Sequence, residues 1–331
     1  MSLLGDGLTQ HEIGNALGTS QPRVSVLLSH LGAATTTVTK SSKIQRDVRE
    51  VLAQAGVSHD INHKLIPPYD VDIYCPDIKL AIEANGVYWH RESAGKDKWY
   101  HSNKTAMCNE QGVRLIHIYD TEWYTKNDVC VSRILNACGG LRPLRIAGRQ
   151  CTVGSIPSKD AREFLEMHHI QGSCYGATIC VGLHHNEQLV AVMTFGKSRF
   201  TEHQYELLRF ACKINTVVNG GASKLFCWFV QQYNPETVVS YSDRRWSVDI
   251  SRSVYSQLSF SCVGTTPPNY RYVHILGDTS VLHNRQQFQK HKLPNLLPIY
   301  DADLSEWDNM KINGYDRIWD CGNTKWVWTR E

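Results

Sequence analysis

Apolar and polar positions between residues 44 and 110 predict two short strands flanked by helices. The strands are expected at Val71–Tyr74 and Leu80–Ile82, joined by the turn Cys75-Pro76-Asp77. The helix before them ends at Gly56, and its apolar stripe consists of Ile44, Val48, Val51, Leu52 and Ala55. The helix after them is expected over Lys98–Glu110. This order predicts a small sheet with helices packed on it.

After Arg149 the same signals predict a second α/β region. Its helices are expected at Ser158–His168, Ala222–Tyr233 and Ser253–Leu258. Its strands are expected at Ile179–Leu183, Leu189–Phe195, Tyr205–Lys213, Val238–Tyr241 and Tyr270–Ile275. The first two strands would form a hairpin, and a glycine turn at Asn219-Gly220-Gly221 would lead into the middle helix. The last segment, Gly314–Trp328, predicts a second hairpin around Gly322-Asn323.

The first thirty residues have helix-turn-helix spacing. Gly18 can adopt the positive φ of the turn, and the apolar positions around it are Ile13, Leu17, Val24 and Leu27. The pattern resembles the DNA-binding units of bacterial regulators and recombinases, and a plain helical hairpin is the alternative. The resemblance directs Ser20, Gln21 and Ser25 toward the major groove, where Gln21 would pair with adenine. Arg23 would hold a phosphate.

Composition narrows the class of protein. A chain of 331 residues is long for one core and suggests two or three domains. We expect no membrane span and no secretory signal, because no run approaches the ~20 apolar residues of a membrane helix. Eleven cysteines without a Cys-x-x-Cys pair indicate reduced thiols and a cytoplasmic location, that of the host if the chain is phage-encoded. The net charge of +3 is compatible with nucleic-acid binding without demanding it.

Asp72, Glu83 and His90 stand within twenty residues on and beside the two predicted strands. A hairpin can bring both carboxylates to one sheet edge, where they repel unless a divalent cation neutralises them. Mg²⁺ prefers such oxygen ligands, and His90 would supply a base beside the ion. The alternative is that both acids are solvated or salt-bridged and that the histidine is structural.

Residues 71–123 resemble the very-short-patch repair endonucleases and the EDxHD-type homing endonucleases, which share the restriction-endonuclease-like fold. The matching segments are Val71-Asp72-Ile73-Tyr74, Ile82-Glu83-Ala84-Asn85-Gly86-Val87-Tyr88-Trp89-His90 and Gly112-Val113-Arg114-Leu115-Ile116-His117-Ile118. The resemblance implies that Asp72 binds Mg²⁺, that His90 activates or positions water, and that Trp89 packs on DNA. Glu83 takes the place of the second acid. The lysine usual two residues later is Asn85 here.

Two helices carry further candidates. Asp47 flanks the apolar stripe of the first helix and is the better of its acids to lie under the site. His101 and Lys104 lie on one face of the second helix, where Lys104 could replace the missing lysine and stabilise a phosphate in its transition state. For all three, a solvated or structural role is the alternative.

The order of elements after residue 157 resembles the N-acetyltransferase (GNAT) fold, including relatives implicated in phage DNA base modification. The resemblance implies an acyl-coenzyme whose pyrophosphate would lie on the backbone N–H groups of Gly220, Gly221, Ala222 and Ser223. Val217 departs from the pattern, since a Gln or Arg is usual there. The run Tyr241-Ser242-Asp243-Arg244-Arg245-Trp246 could hold a base or phosphate through Arg244 and Arg245, or form a hydrogen-bonded corner.

These elements predict a multi-domain α/β chain. Its parts are an all-α helix-turn-helix unit (1–33), a linker (34–43), a restriction-endonuclease-like α/β/α nuclease core (44–140), a second linker (141–156), a GNAT-like α/β domain (157–295) and a C-terminal tail with a hairpin (296–331). In arrangement the chain resembles a phage homing-type endonuclease. We expect a Mg²⁺-dependent endonuclease acting on double-stranded DNA. The alternatives are a DNA-modifying acyltransferase and a non-catalytic DNA-binding regulator, and the oligomeric state stays open.

Overall fold

The computed structural model divides the chain into two compact units, Met1–Ser42 and Lys43–Glu331. It describes residues 13, 17–19, 23–24, 42–246, 249–251 and 253–330. In the first unit, Ile13 and Val24 are buried in one apolar cluster, and Gly18 has a φ of +61°. Arg23 is exposed on a helix. The expected groove-facing residues Ser20, Gln21 and Ser25 lie outside the described residues, as do positions 34–41 of the expected linker.

The second unit begins with a four-stranded sheet between helices. Its elements are α1 (Lys43–Gln54), β1 (Asp60–Ile66), β2 (Tyr69–Cys75), β3 (Leu80–Asn85), α2 (Val87–His90), α3 (Tyr100–Glu110), β4 (Arg114–Tyr119), α4 (Asp120–Thr125) and α5 (Asn127–Cys138). The strands lie in the order β1-β2-β3-β4, with only the β3–β4 pair parallel. The strands and helices expected here therefore form.

Strand β3 separates an apolar layer from a polar one. Leu80, Ile82 and Ala84 pack in the core that α1 and α5 share with the sheet. Because side chains alternate along a strand, Glu83 and Asn85 point to the opposite face, which α3 covers. Both are buried there. The alternation thus places polar groups in the interior, beneath one helix.

The rest of the chain builds three further sheets. Its elements are β5 (Leu144–Ala147), β6 (Thr152–Ser155), α6 (Ser158–His168), β7 (Ile179–His185), β8 (Gln188–Lys197), β9 (Tyr205–Cys212), β10 (Thr216–Asn219), α7 (Gly221–Tyr233), β11 (Thr237–Asp243), α8 (Val254–Gln257), β12 (Ser261–Thr265), β13 (Tyr270–His274), β14 (His283–Asn284), α9 (Glu306–Ile312), β15 (Tyr315–Trp319) and β16 (Asn323–Thr329). The large sheet has the order β12-β16-β11-β9-β8-β7-β6, and a small one has the order β14-β13-β15. Strands β5 and β10 pair in parallel. Strand β5 lies within the segment 141–156 that was expected to be a linker, and β10 lies beyond it in sequence.

The expected hairpin at Gly314–Trp328 is wrong. Strand β15 pairs with β13, whereas β16 pairs with β11 and β12, so the two strands enter different sheets. Gly322, between them, has a φ of +71° and leaves no room for a Cβ, which would lie 2.2 Å from the carbonyl oxygen of Thr266. Its N–H donates to Asp320 at 2.7 Å. The glycine turn therefore changes sheets instead of closing a hairpin.

Of the two interpretations left open for the loop after β11, the structure rules out a DNA-contacting surface at Arg245, because its side chain is buried. Its side chain is 2% exposed and donates to Glu122 at 2.8 and 2.9 Å and to Asp243 at 2.8 Å. Its carbonyl oxygen accepts the N–H of His117, in the middle of β4. Arg244 donates to the carbonyl oxygen of Cys321 at 3.0 Å. The loop after β11 is thus a hydrogen-bonded corner that joins the large sheet to the first one.

We predict that Arg245→Met lowers the free energy of unfolding by about 3–5 kcal/mol, because it leaves Glu122 and Asp243 buried without their cation. Urea unfolding followed by circular dichroism would measure the change. The matched control is Arg285→Met, which removes an arginine whose ion pair with Glu306 is 3.7 Å long and half exposed. That loss should be within about 1 kcal/mol. Equal losses for the two variants would contradict the role given to Arg245.

Candidate active site

Two carboxylates face each other across the β2–β3 ladder. Ile73 pairs with Ile82, which puts Asp72 opposite Glu83 in the antiparallel register. The N–H of Asp72 donates to Glu83 Oε1 at 3.2 Å, and the N–H of Ala84 donates to Asp72 Oδ2 at 2.8 Å. Opposite residues of such a pair have Cβ atoms only ~5 Å apart, on the same face. The hairpin therefore brings the two acids together.

Lys104 lies over this pair. It projects from α3, and its Nζ is 2.7 Å from Glu83 Oε2. Burial and the charge of Asp72 raise the pKa of Glu83 to about 7, against the opposing effect of Lys104. Burial also raises the pKa of Asp72. For Lys104 burial acts to lower the pKa, but the neighbouring acids keep it above the ordinary value. The lysine stays charged and neutralises one of the two carboxylates.

Two histidines stack beside the lysine. His90, the last residue of α2, has its Nδ1 3.0 Å from Nε2 of His101, and the ring centroids are 5.3 Å apart. Burial and, to a smaller extent, the charge of Lys104 lower the pKa of His90 to about 3. Burial lowers the pKa of His101 well below its usual range. Both rings are therefore neutral near pH 7, and His101 fixes the orientation of the His90 ring.

A buried hydrogen-bond chain extends from this pair under α3. Thr105 donates its only hydroxyl proton to the carbonyl oxygen of His101, at 2.9 Å. His117 Nε2, 2.8 Å from the same hydroxyl, must then be the donor. Its Nδ1 accepts from Asn85 Nδ2 at 3.3 Å. Cys321 Sγ lies 3.4 Å from the Thr105 hydroxyl, so the chain ends in the C-terminal part of the molecule.

The structure brings five of the expected site residues to one face of the sheet, namely Asp72, Glu83, His90, His101 and Lys104. Asp47 is not part of this group, because its carboxylate instead accepts the indole N–H of Trp123 at 3.3 Å. Asn85 stands at the position where the sequence resemblance led us to expect a lysine, and Lys104 of α3 places its ammonium beside Glu83. Thr105 and the Asn85–His117 pair were not anticipated as parts of the site, because single polar residues at buried positions give no sequence signal.

The carboxylate pair suits a partly hydrated cation. No group of three or more His, Cys, Asp or Glu side chains within the described ranges is arranged to hold a metal ion. Mg²⁺ commonly takes only one or two protein carboxylates and completes its octahedron with water and substrate phosphate. Asp72 and Glu83 fit that donor set, and they do not form a cage that would hold a metal by itself. The Mg²⁺ expected from the sequence stays a prediction.

Aromatic side chains project from the segment around His90. Trp89 is 68% exposed, and Tyr88 beside it is also exposed. The guanidinium of Arg91 lies 3.8 Å from the centre of the Tyr88 ring. Trp99, which the sequence analysis did not propose as a site residue, is 46% exposed just before α3. The Nζ of Lys98 lies 5.0 Å from the centre of its ring. Exposed rings beside cations are a surface on which nucleic-acid bases stack.

The turn before α7, expected to hold a pyrophosphate, is contacted by the protein itself. Gly148 lies so close that a Cβ there would be 2.8 Å from the carbonyl oxygen of Asn219. Lys224, in the first turn of α7, donates to the carbonyl oxygens of Gly148 and Cys151. Gly221 is buried against Val218. These contacts pack residues 148–151 against the turn.

Strands β9 and β11 pair in parallel over three residues only and then diverge. A segment after α6 spans the gap between them. Gln171 donates from Nε2 to Asp243 at 3.2 Å, and the carbonyl oxygen of Gly172 accepts from Arg209 at 3.1 Å. Ile170 reaches the apolar core that α1 and α5 form with the first sheet. The opening between the strands is thus bridged by the chain.

Comparison with solved structures gives two kinds of similar protein. The catalytic domain of the homing endonuclease I-Bth0305I is 28% identical with a TM-score of 0.24, and the match covers 29% of this chain and 94% of that domain. A Bacillus subtilis acetyltransferase solved in complex with CoA is 13% identical with a TM-score of 0.30, covering 55% of this chain and 99% of that one.

The ribosomal-protein-S18-alanine N-acetyltransferase from Escherichia coli is 10% identical with a TM-score of 0.30, covering 54% of this chain and 93% of that one. No protein-family model and no curated protein matches the chain. TM-scores this far below 0.5 do not establish a shared fold. The interpretation of the site therefore rests on its own geometry.

The buried histidines predict a loss of stability in acid. Burial lowers the pKa of His169 to about 3, and that of His90 likewise. Below about pH 6.5 these histidines take up protons in the unfolded chain but stay neutral in the folded protein. The free energy of unfolding therefore decreases as the pH is lowered, by about 1.4 kcal/mol per pH unit for each such histidine. His169→Asn keeps the acceptor for the N–H of Gln171 and removes the titrating ring.

Urea unfolding at pH 7.5, 6.5 and 5.5 would give the slope of the unfolding free energy against pH. The slope should be flatter in His169→Asn than in the wild type. His63→Asn, at a side chain that is 40% exposed, serves as the comparison and should keep the wild-type slope. A steeper or unchanged slope in His169→Asn would show that this ring is protonated in the folded protein.

Proposed function

We propose that this chain is a Mg²⁺-dependent endonuclease that hydrolyses phosphodiester bonds in double-stranded DNA. One observation carries the proposal. Glu83, opposite Asp72 in the ladder, contacts Lys104 at 2.7 Å, with the His90–His101 pair on the same face. Two acids, one lysine and a neutral imidazole are groups that can together support metal-assisted phosphodiester hydrolysis.

Each group has a role in the proposed reaction. Asp72 and Glu83 would hold Mg²⁺, which when bound polarises the phosphate ester and promotes formation of the attacking hydroxide. Lys104 would turn from Glu83 to a non-bridging phosphate oxygen and stabilise the charge of the transition state. His90 would accept or position the proton of the attacking water. The negative charge of a bound phosphate raises the pKa of this ring, and its basicity with it.

DNA contacts would come from several parts of the chain. Trp89 would stack on an unpaired or distorted base step, in keeping with its exposure beside His90. The first unit would locate the duplex through Ser20, Gln21, Arg23 and Ser25, as its helix-turn-helix spacing suggests. One such unit buries little surface, so contacts from the C-terminal part would add to affinity.

Asp72→Asn and Glu83→Gln should each reduce Mg²⁺-dependent cleavage of plasmid and phage DNA by roughly 1,000-fold, because loss of the ion removes several kcal/mol of transition-state stabilisation. Asp70→Asn is the matched control, since Asp70 is exposed on the same strand. It should cleave at the wild-type rate. Cleavage by Asp72→Asn equal to that of the wild type would refute the metal assignment, and it is the result that a non-catalytic regulator predicts.

Acyl transfer to DNA is the second candidate. It is supported by the order strand, glycine turn, helix and parallel strand in β9, α7 and β11, with Gly220 in the left-handed conformation at the helix start. Against it stand the contacts of Gly148 and Lys224 at that turn. The residues present therefore fit an acyl-coenzyme less well than the carboxylate pair fits a cation.

Calorimetric titration of the full chain with coenzyme A separates the two candidates. We expect no binding at millimolar coenzyme, because Gly148 and Lys224 already occupy the turn. Lys224→Ala, which removes one of these contacts, should also fail to bind. Saturable binding by the wild type, with inertness toward DNA in Mg²⁺, would favour the acyltransferase.

A further inference from the structure

The helix that carries Trp89 and His90 is only four residues long. A helix of one turn is not stable by itself, because its few hydrogen bonds do not offset the cost of ordering the backbone. The position of His90 must therefore be fixed by contacts at the two ends of α2. The apolar contacts at its start already involve the C-terminal part of the chain. Val87 packs in one buried cluster with Val273 of β13 and Ile318 of β15.

Beyond the other end of α2, a buried carboxylate of strand β15 holds the segment that follows His90. Asp316 is 2% exposed. It accepts the N–H of Ser93 at 3.3 Å and also the Ser93 hydroxyl, and it lies 3.2 Å from Nε of Arg91. Arg91 directly follows His90 in sequence, and Ser93 lies two residues beyond Arg91.

A second pair of contacts holds the residue between them. The carboxylate of Glu92 accepts from Arg317 Nε at 2.8 Å and Nη2 at 2.6 Å, and from the indole N–H of Trp319 at 2.7 Å. The guanidinium of Arg317 lies 4.1 Å from the centre of the Trp307 ring. The hydroxyl of Tyr119, at the end of β4, donates to the carbonyl oxygen of Trp319 at 2.9 Å. Strand β15 is thus attached both to the segment after His90 and to the first sheet.

We propose that β15 is a positioning element of the candidate active site. Asp316 and Arg317 hold Arg91–Ser93 and thereby set the place of the His90 ring relative to the carboxylates. The role rests on the proposed nuclease function. A shift of about 1 Å in a catalytic group costs on the order of 100-fold in rate. Asp316 and Arg317 would therefore affect turnover through the position of His90, without contacting the substrate.

The test uses full-length Asp316→Asn and Arg317→Lys. Arg317→Lys keeps the charge and loses the two-pronged bond to Glu92, so it serves where Asp316→Asn does not fold. Each variant should lower kcat for DNA cleavage by about 10- to 100-fold. Hydrogen exchange of peptides covering residues 87–95 should become faster, while exchange over 69–85 keeps the wild-type rate. A purely global loss of stability would speed both.

The matched control is Arg199→Lys. Arg199 makes the same kind of two-pronged bond to Glu206, a buried acid on β9 of the large sheet. Its Nη2 and Nε donate to the two carboxylate oxygens at 2.8 and 3.1 Å. This variant should leave kcat and exchange over 87–95 unchanged.

Two outcomes overturn the inference. One is wild-type exchange over 87–95 in both test variants, and the other is faster exchange with wild-type kcat. Failure of the nuclease proposal is distinguishable, because then the wild type itself would not cleave DNA under any Mg²⁺ condition, and the positioning role would fall with it.

Discussion

The pairing of two carboxylates under a helix is the constraint on which the rest of the site depends. Burying one ionised carboxylate costs several kcal/mol, and Asp72 opposite Glu83 adds repulsion. Lys104 offsets part of that cost from 2.7 Å, and one backbone N–H donates to each carboxylate, to Glu83 Oε1 and to Asp72 Oδ2. Burial raises the pKa of both acids, that of Glu83 to about 7, so Lys104 does not fully compensate the pair. The fold therefore keeps two poorly compensated carboxylates at this point, and this is the feature that the proposed divalent ion would use.

Sequence patterns were sufficient where the determining contacts are local. Strand pairing at Asp72 and Glu83 follows from two short apolar runs and a proline turn, and the shared face of His101 and Lys104 follows from helical spacing. The same patterns could not show that β15 and β16 enter different sheets, since strand partners are chosen by distant segments. Asp316 lies 223 residues from Ser93 along the chain, and no local signal connects them.

Arg245 shows why a charge run cannot be interpreted from its sequence neighbours alone. Two arginines beside a tryptophan after a strand fit a nucleic-acid contact and a hydrogen-bonded corner equally well. In the fold, Glu122 of α4 and Asp243 of β11 both direct carboxylates at Arg245, and the β4 backbone at His117 binds its carbonyl oxygen. A guanidinium has a fixed fork geometry, so its bonds to two acids hold α4 and the end of β11 against each other. The burial of Arg245 depends on residues more than a hundred positions away, which is why its sequence neighbours do not reveal it.

The same contacts bear on whether one chain can serve both candidate functions. A ligand inserted between the diverging ends of β9 and β11 would have to displace Gln171 from Asp243 and Gly172 from Arg209. Asp243 is also a partner of Arg245, so the displacement would disturb the group that holds the first sheet in place. The segment that bridges β9 and β11 is therefore linked through Asp243 to the Arg245 corner, so the opening of the large sheet and the first sheet share one hydrogen-bond network.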